Sequence, residues 1–233
     1  MNSAPDSLKI EQPPQTLREM AIDRLRTAII VGRFKSGDRL VERTLCDRMG
    51  VSRSVVREAI RYLEAEGLVE IAPRSGPMVA TLDWNQARQI YDIRLLLEAK
   101  AAADCAVLAD ARVKHDLAEA HKALDAAFSG AWPQVLYDAT TRFYEVIFLA
   151  AGHEIAWEIV QRLNGRISRL RALTLATTDR HVSGPTRMGR IFDAICANDA
   201  EAAARAVREH LTEAAEIARR LLESGQTSAK AGT

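Results

Sequence analysis

Arg53, Arg57 and Arg61 stand four residues apart in the run GVSRSVVREAIRYLEAEGLV between Gly50 and Val69. At about 100° per residue this spacing lines three guanidiniums along one side of a helix, while Val55, Val56, Ala59, Ile60 and Leu63 gather on the other. A guanidinium is permanently charged and forked, so such a stripe holds phosphate oxygens or grips a guanine edge with two hydrogen bonds. The same stripe on an arbitrary amphipathic helix is a solvated face. The neighbouring elements decide between the two readings. Glu64 falls on the stripe as well, which takes the last turn of the helix away from the anions.

Ser52 is a helix-capping residue type and Gly67 a terminating one, so a helix is expected over Arg53 to Glu66. Before it, Glu42 to Met49 (ERTLCDRM) forms a short helix with Leu45 and Met49 on one face, and Gly50-Val51 is a tight link. This is a helix-turn-helix, whose second helix lies in a DNA major groove. After Gly67, Leu68 to Ile71 is a strand, Pro73 to Pro77 a turn and Met78 to Ala80 a second strand. Together they make a two-stranded wing with Arg74 at its tip. Upstream, Thr16 to Gly32 has helical periodicity, and Phe34 to Leu40 is a turn leading into a short strand that can pair with the wing. A DNA-binding unit over residues 15–81 results, behind a polar tail at 1–14.

Beyond Leu82 glycine and proline become sparse, and no strand signal survives. Helices are expected from Asp83 to Leu108, Asp110 to Phe128, Pro133 to Ala151, and His153 to Leu175. A loop over Thr177 to Pro185 precedes a helix over Thr186 to Ala197, and Asn198 with Glu201 reads as a capping box for a last helix ending near Ser224. The fold class is therefore mainly α: a winged helix-turn-helix with a small β wing, followed by an all-α bundle of about six helices over 82–224 and a tail at 225–233. Arg94 lies beside Ile90, Ile93 and Leu97. A buried arginine there is paired with Glu98 one turn on, or it faces a pocket and awaits an acid.

Composition narrows the function. The 233 residues carry a formal net charge of +1, too small for unspecific coating of nucleic acid, so DNA affinity has to come from a local patch. Cys46, Cys105 and Cys196 have neither a disulfide framework nor a zinc spacing, as suits thiols in a reducing cytoplasm. No apolar run approaches the roughly 20 residues that cross a bilayer, and the first residues lack a signal core. A cytoplasmic protein without membrane contact is expected.

The stretch GDRLVERTLCDRMGVSRSVVREAIRYLEAEGLVEIAPRSGPMVA resembles the winged helix-turn-helix of GntR-type bacterial transcription regulators, through Gly37, Leu40 and Glu42, the G-V-S-R-x-x-V-R-E-A core and Gly76; Ser36 stands where a proline is usual. The resemblance implies DNA contacts by Arg43, Ser52, Arg53, Ser54 and Arg57, with Arg74 and Gly76 from the wing. The second half is similar to the FCD ligand-sensing domain of the FadR branch, through Tyr91-x-x-Arg94-x-x-x-Glu98, Ala151-Gly152, Ile191 to Ile195 and Arg208 to Leu211. That likeness implies a carboxylate effector for Arg94. Many FCD domains hold a metal, and at the matching positions this chain has Thr140, Tyr144, Met188 and His210.

Only His210 is a good metal donor in that set, so neither a metal nor another cofactor is expected. Asp138, His153 and His181 do not replace the missing ligands. Thr140, Tyr144, Met188 and His210, with Arg94 and Thr174, become the expected effector contacts; for His210 an interior hydrogen-bonded role stays open. Arg169 and Arg171 are weaker candidates on the same helix as Thr174. The expected protein is a ligand-responsive transcription regulator, not an enzyme, that binds a palindromic operator as a homodimer and answers to a small organic acid. The alternatives are a metal-assisted hydrolase, for which paired carboxylates and a G-x-S-x-G signal are missing, and an architectural DNA binder with no effector.

Overall fold

The computed structural model of the chain describes residues 15–73, 75–130 and 133–230, with the side chains of 133, 180, 181 and 225–230 outside the description. The N-terminal part contains α1 (Leu17–Ile30), α2 (Glu42–Met49), α3 (Arg53–Ala65), β1 (Val69–Ala72) and β2 (Gly76–Val79). Thr16 caps α1 in a reciprocal box with Glu19. Gly50 ends α2 in the left-handed region at φ 66°, which an L side chain adopts only with strain and which turns the chain directly into α3. The Ser52 side chain accepts from the Val55 amide at the start of α3. β1 and β2 pair antiparallel with Val69 opposite Val79, and Arg39 adds a single bridge to Met78, so the anticipated third partner of the wing amounts to one bridge.

The C-terminal part is all helical: α4 (Trp84–Leu108), α5 (Ala111–Phe128), α6 (Pro133–Ala150), α7 (Glu154–Leu175), α8 (Thr178–Cys196) and α9 (Ala200–Lys230). Nine helices and one two-stranded wing are thus present among the described residues. Its core gathers Leu117, Leu124, Phe143, Ile147, Phe148, Met188 and Ile191. A separate core in the winged helix contains Leu25, Ile29, Leu45, Val56 and Leu63, and Ala172 of α7 is buried among them.

Three expectations about the helices need correction. The loop foreseen over Thr177 to Pro185 is the first half of α8, with Pro185 inside the helix. Tertiary contacts hold it: Ser183 and Arg187 both bond the Glu213 carboxylate of α9, and a Cβ at Gly184 would lie 2.4 Å from the Phe128 ring, so the missing side chain lets α8 close on α5. The capping residue of α9 is Asp199, which accepts from the Ala202 amide at 2.9 Å. Asn198 instead sits at φ 56° and donates its side-chain amide to the carbonyls of Ala106 and Ala109, at 2.7 and 3.1 Å. Finally, α9 runs on to Lys230, past the end foreseen near Ser224.

Candidate nucleic-acid interface and inner cavity

Packing alone orients the arginine stripe. Val56, Ala59, Ile60 and Leu63 of α3 are buried against α1 and α2, which turns Arg53, Arg57 and Arg61 out to solvent. Arg43, Ser52 and Ser54 are exposed beside them, and the two serine hydroxyls lie 2.8 Å apart at the helix start, where backbone N–H groups also point outward. Arg57 is not free. Its Nε donates to both oxygens of Glu42 at 2.9 and 3.0 Å. Those hydrogen bonds, and then the carboxylate charge, hold its guanidinium above the ordinary arginine value. From the sequence, Glu42 is part of a lead-in motif and the start of the short helix; its pairing with Arg57 is not readable there. Gly76 opens β2 at the wing, while Arg74 lies outside the described residues.

Five of the six expected effector contacts meet around one cavity in the helical part. Arg94 from α4, Thr140 from α6, Thr174 from α7, Met188 from α8 and His210 from α9 all line it, together with Tyr91, Phe128 and Arg171. Tyr144 does not line it; its buried ring stands behind His210, with centroids 6.2 Å apart. The cavity measures about 20 Å³, room for one water molecule at roughly 10–15 Å³ each. Thr140 and Thr174 donate their hydroxyl protons to the carbonyls of Leu136 and Leu170 on their own helices, leaving oxygen lone pairs toward the cavity. An organic acid enters only if side chains such as the unbranched Met188 move aside.

The two arginines differ. Arg94 lies on the buried face of α4 with Tyr91 and Glu98, whereas Ile93 is exposed, so the apolar face expected around it is only partly realised. Its Nε donates to Glu98 Oε1 at 2.6 Å with both side chains almost fully buried. Burial works against the Arg94 cation, but the pull of Glu98 outweighs it and raises the guanidinium above its ordinary value. Arg171 is also buried, at 6% exposure, and its Nη1 has no hydrogen-bond partner. It stacks on the Tyr137 ring at 4.8 Å. Burial, and then the neighbouring Arg94 cation, push its guanidinium below the ordinary value. Two buried cations and one carboxylate leave a positive excess beside the cavity, which is an unmet demand for an anion.

The donor set does not fit a transition metal. With His210 the cavity is lined by two guanidiniums, two threonine hydroxyls, the Tyr91 phenol and a thioether, and cations repel a metal ion. Asp138 is exposed and bonded by Gln134, and His153 pairs with Asp104 at 3.0 Å, so neither turns toward His210. Among the described residues no group of three or more His, Cys, Asp or Glu side chains comes together for a metal. The side chain of His181 lies outside the description.

α7 joins the two regions. Arg171 and Thr174 face the cavity, Ala172 enters the core of the winged helix, and Arg169 donates to the Phe34 carbonyl. Gly165 packs against the end of α3, where an added Cβ would lie 2.2 Å from the Glu66 carbonyl oxygen. No described helix is long and apolar enough to cross a membrane.

Residues 17–79 match the profile of bacterial regulatory proteins of the gntR family, and residues 89–213 match that of the FCD domain. An HTH-type transcriptional regulator of Bacillus subtilis, YdhC, is 27% identical over 225 residues, covering 95% of this chain and 99% of its own. The HTH-type transcriptional repressor RspR of Escherichia coli is 26% identical over 213 residues, covering 90% and 92%. Among solved structures, Escherichia coli McbR/YncC superposes with a TM-score of 0.74 at 20% identity, over 88% of this chain and 98% of the other.

Proposed function

Since the chain belongs to the gntR family of bacterial regulatory proteins and carries an FCD domain, which makes it a transcription regulator, we propose that it is a repressor whose grip on DNA is set by a small organic acid. The acid sits in the inner cavity with its carboxylate on Arg171. The observation that carries this reading is the buried Arg171 Nη1 without a partner, one helical turn from Thr174 and beside His210 in the cavity wall. Arg94, already balanced by Glu98, fixes the shape of the site and contributes less charge to it. A bound carboxylate removes the excess of positive charge, so binding favours an arrangement of α7 that differs from the empty one. Because α7 also carries Gly165 and Ala172 against the winged helix, that change reaches α3.

The protein acts on DNA as a homodimer. One recognition helix reads only a few base pairs, so site specificity calls for two copies on a palindromic operator. Large apolar side chains left exposed on α4, Ile93 and Leu96, and on α7, Ile155 and Ile159, supply material for pairing. Arg43, Ser52, Arg53, Ser54 and Arg57 contact the operator, with Arg74 and Gly76 of the wing. Similarity to RspR, a transcriptional repressor, supports repression.

The test is a gel shift with the promoter of the adjacent operon, titrated with a panel of small mono- and dicarboxylates. At least one acid is expected to change operator affinity, and Arg171→Met is expected to abolish that change while keeping basal affinity. A response that survives unaltered in Arg171→Met sinks the assignment.

A further inference from the structure

We propose that the cleft between the winged helix and α7 is a second ligand site, separate from the inner cavity, for an uncharged ring molecule rich in hydrogen-bonding groups. The cleft has a volume of about 540 Å³, and its walls come from α1 and α3 on one side and from α6 and α7 on the other. Ligand pockets fall in the range of roughly 300–1,000 Å³. Asn164 and Ser168, one turn apart on α7, both face it. They are 4% and 1% exposed, and neither Asn164 Oδ1 nor Ser168 Oγ has a hydrogen-bond partner. Buried polar atoms are nearly always satisfied, so two orphans on neighbouring turns of α7, both on residues that line one space, call for a molecule that bonds them.

The charges select an uncharged molecule. Arg26 in the cleft gives two hydrogen bonds to Glu66, at 3.2 and 3.0 Å, and a third to Asp23 at 2.6 Å, so the charges on the inner wall are already matched. Glu158 and Arg162 at the rim are exposed and of opposite sign. Tyr62 and Tyr137 supply aromatic surface for a ring. Tyr137 also carries Arg171 on its ring at 4.8 Å, so a residue of the cleft wall packs against one that lines the inner cavity. A ligand here touches Glu66 and Gly165 together, and its affinity depends on how the two regions sit. By linkage, its binding alters the affinity for operator DNA.

The experiment follows thermal unfolding of the full chain with uridine as a ring with an amide edge, D-glucose as a polyhydroxyl ring and benzoate as a charged control. Uridine or glucose is expected to raise the melting temperature with dose, and the responding arm distinguishes an amide edge from a polyol. Ser168→Ala and Asn164→Leu each shift the required concentration upward about tenfold, the worth of one hydrogen bond of about 1.4 kcal/mol, and Arg171→Met, outside the cleft wall, does not abolish the response. Ser168→Ala removes a single oxygen and so reports even if Asn164→Leu perturbs the fold. The proposal is overturned if neither neutral probe acts, if the response survives both α7 variants, if Arg171→Met abolishes it, or if benzoate binds through Asn164 and Ser168.

Discussion

The ion pair between Arg57 and Glu42 holds in place a side chain proposed to contact DNA. Both Glu42 oxygens take the Nε proton of Arg57, which leaves the two terminal nitrogens of the fork for phosphate or base. Removing the carboxylate therefore has two opposed effects. It strips a negative charge from the surface proposed to face DNA, which strengthens contact with any sequence, and it frees Arg57 to wander, which weakens the proposed specific contact. Glu42→Ala is expected to lower the ratio of operator to unspecific affinity by about tenfold, within the 1–3 kcal/mol of one base contact; competition gel shifts at fixed salt measure it, and an unchanged ratio removes Glu42 from specificity. The two buried arginines give a contrast of sign. Arg94→Met strands the Glu98 carboxylate in the core and should cost about 3–5 kcal/mol of stability. Arg171→Met deletes a buried cation that has no hydrogen-bonded partner at Nη1, and should be neutral or stabilising by about 1 kcal/mol or more. Urea titrations of both variants compare them directly. Arg94 was legible in the sequence as a charge among apolar neighbours on one helix, whereas Thr140, Met188 and His210 follow from the resemblance to the FCD domain. The ranking of the two arginines was not legible: that Glu98 satisfies Arg94 while Arg171 lacks a bond depends on burial and on side-chain direction across four helices, and a linear spacing contains neither.

The helices show where local signals suffice and where they fail. Asp83 and Asp110 cap α4 and α5 as their positions suggest, and the end of α2 at Gly50 follows from left-handed backbone. Pro185 misled because a proline inside a helix is locally unfavourable, whereas the bonds of Ser183 and Arg187 to α9 and the close approach at Gly184 are long-range contacts that a local reading omits. Asn198 with Glu201 has a capping-box pattern, yet its amide is engaged by α4 carbonyls and Asp199 takes over the cap. α7 is the element whose role was least legible: its sequence gives a helix, but Gly165, Arg169, Arg171 and Ala172 meet different partners around its circumference. Gly165→Ala tests that role through its sign. In a free helix the change stabilises by about 1 kcal/mol. Here the new Cβ meets the Glu66 carbonyl at 2.2 Å and has to push α7 off the end of α3. A net loss of stability is expected, together with a change in operator affinity although Gly165 packs on the end of α3 and not on its exposed arginine stripe. Stabilisation with unchanged DNA binding would show that α7 and α3 are not held in this contact.

At the scale of the molecule, the proposed pairing of two copies on one operator joins two short reading heads. The exposed stripe of α3 is a few residues long, and the net charge of the whole chain is only +1, so a single copy has little unspecific attraction to add. Linking two heads turns the second contact into an intramolecular one and raises affinity by about 10²–10⁴-fold without any new interaction. We place the proposed dimer contact on the helical part, where α4 exposes apolar side chains: Ile93 and Leu96 are 41% and 68% exposed, and Val107 continues the same helix face at 67%. These side chains do not contribute to the chain's own core, so a charge placed on them leaves the fold alone and acts only on association. Leu96→Lys is the sharpest choice, since a self-complementary two-fold interface repeats the substitution and sets two like charges against each other. The variant is expected to have a wild-type thermal transition when measured as monomer, to sediment as a single chain where the parent sediments as a pair, and to lose operator affinity by at least about a hundredfold while half-site affinity stays constant. If Leu96→Lys still pairs and binds the operator normally, the dimer is built on another face, and the exposed apolar residues of α7, Ile155 and Ile159, become the next to be charged.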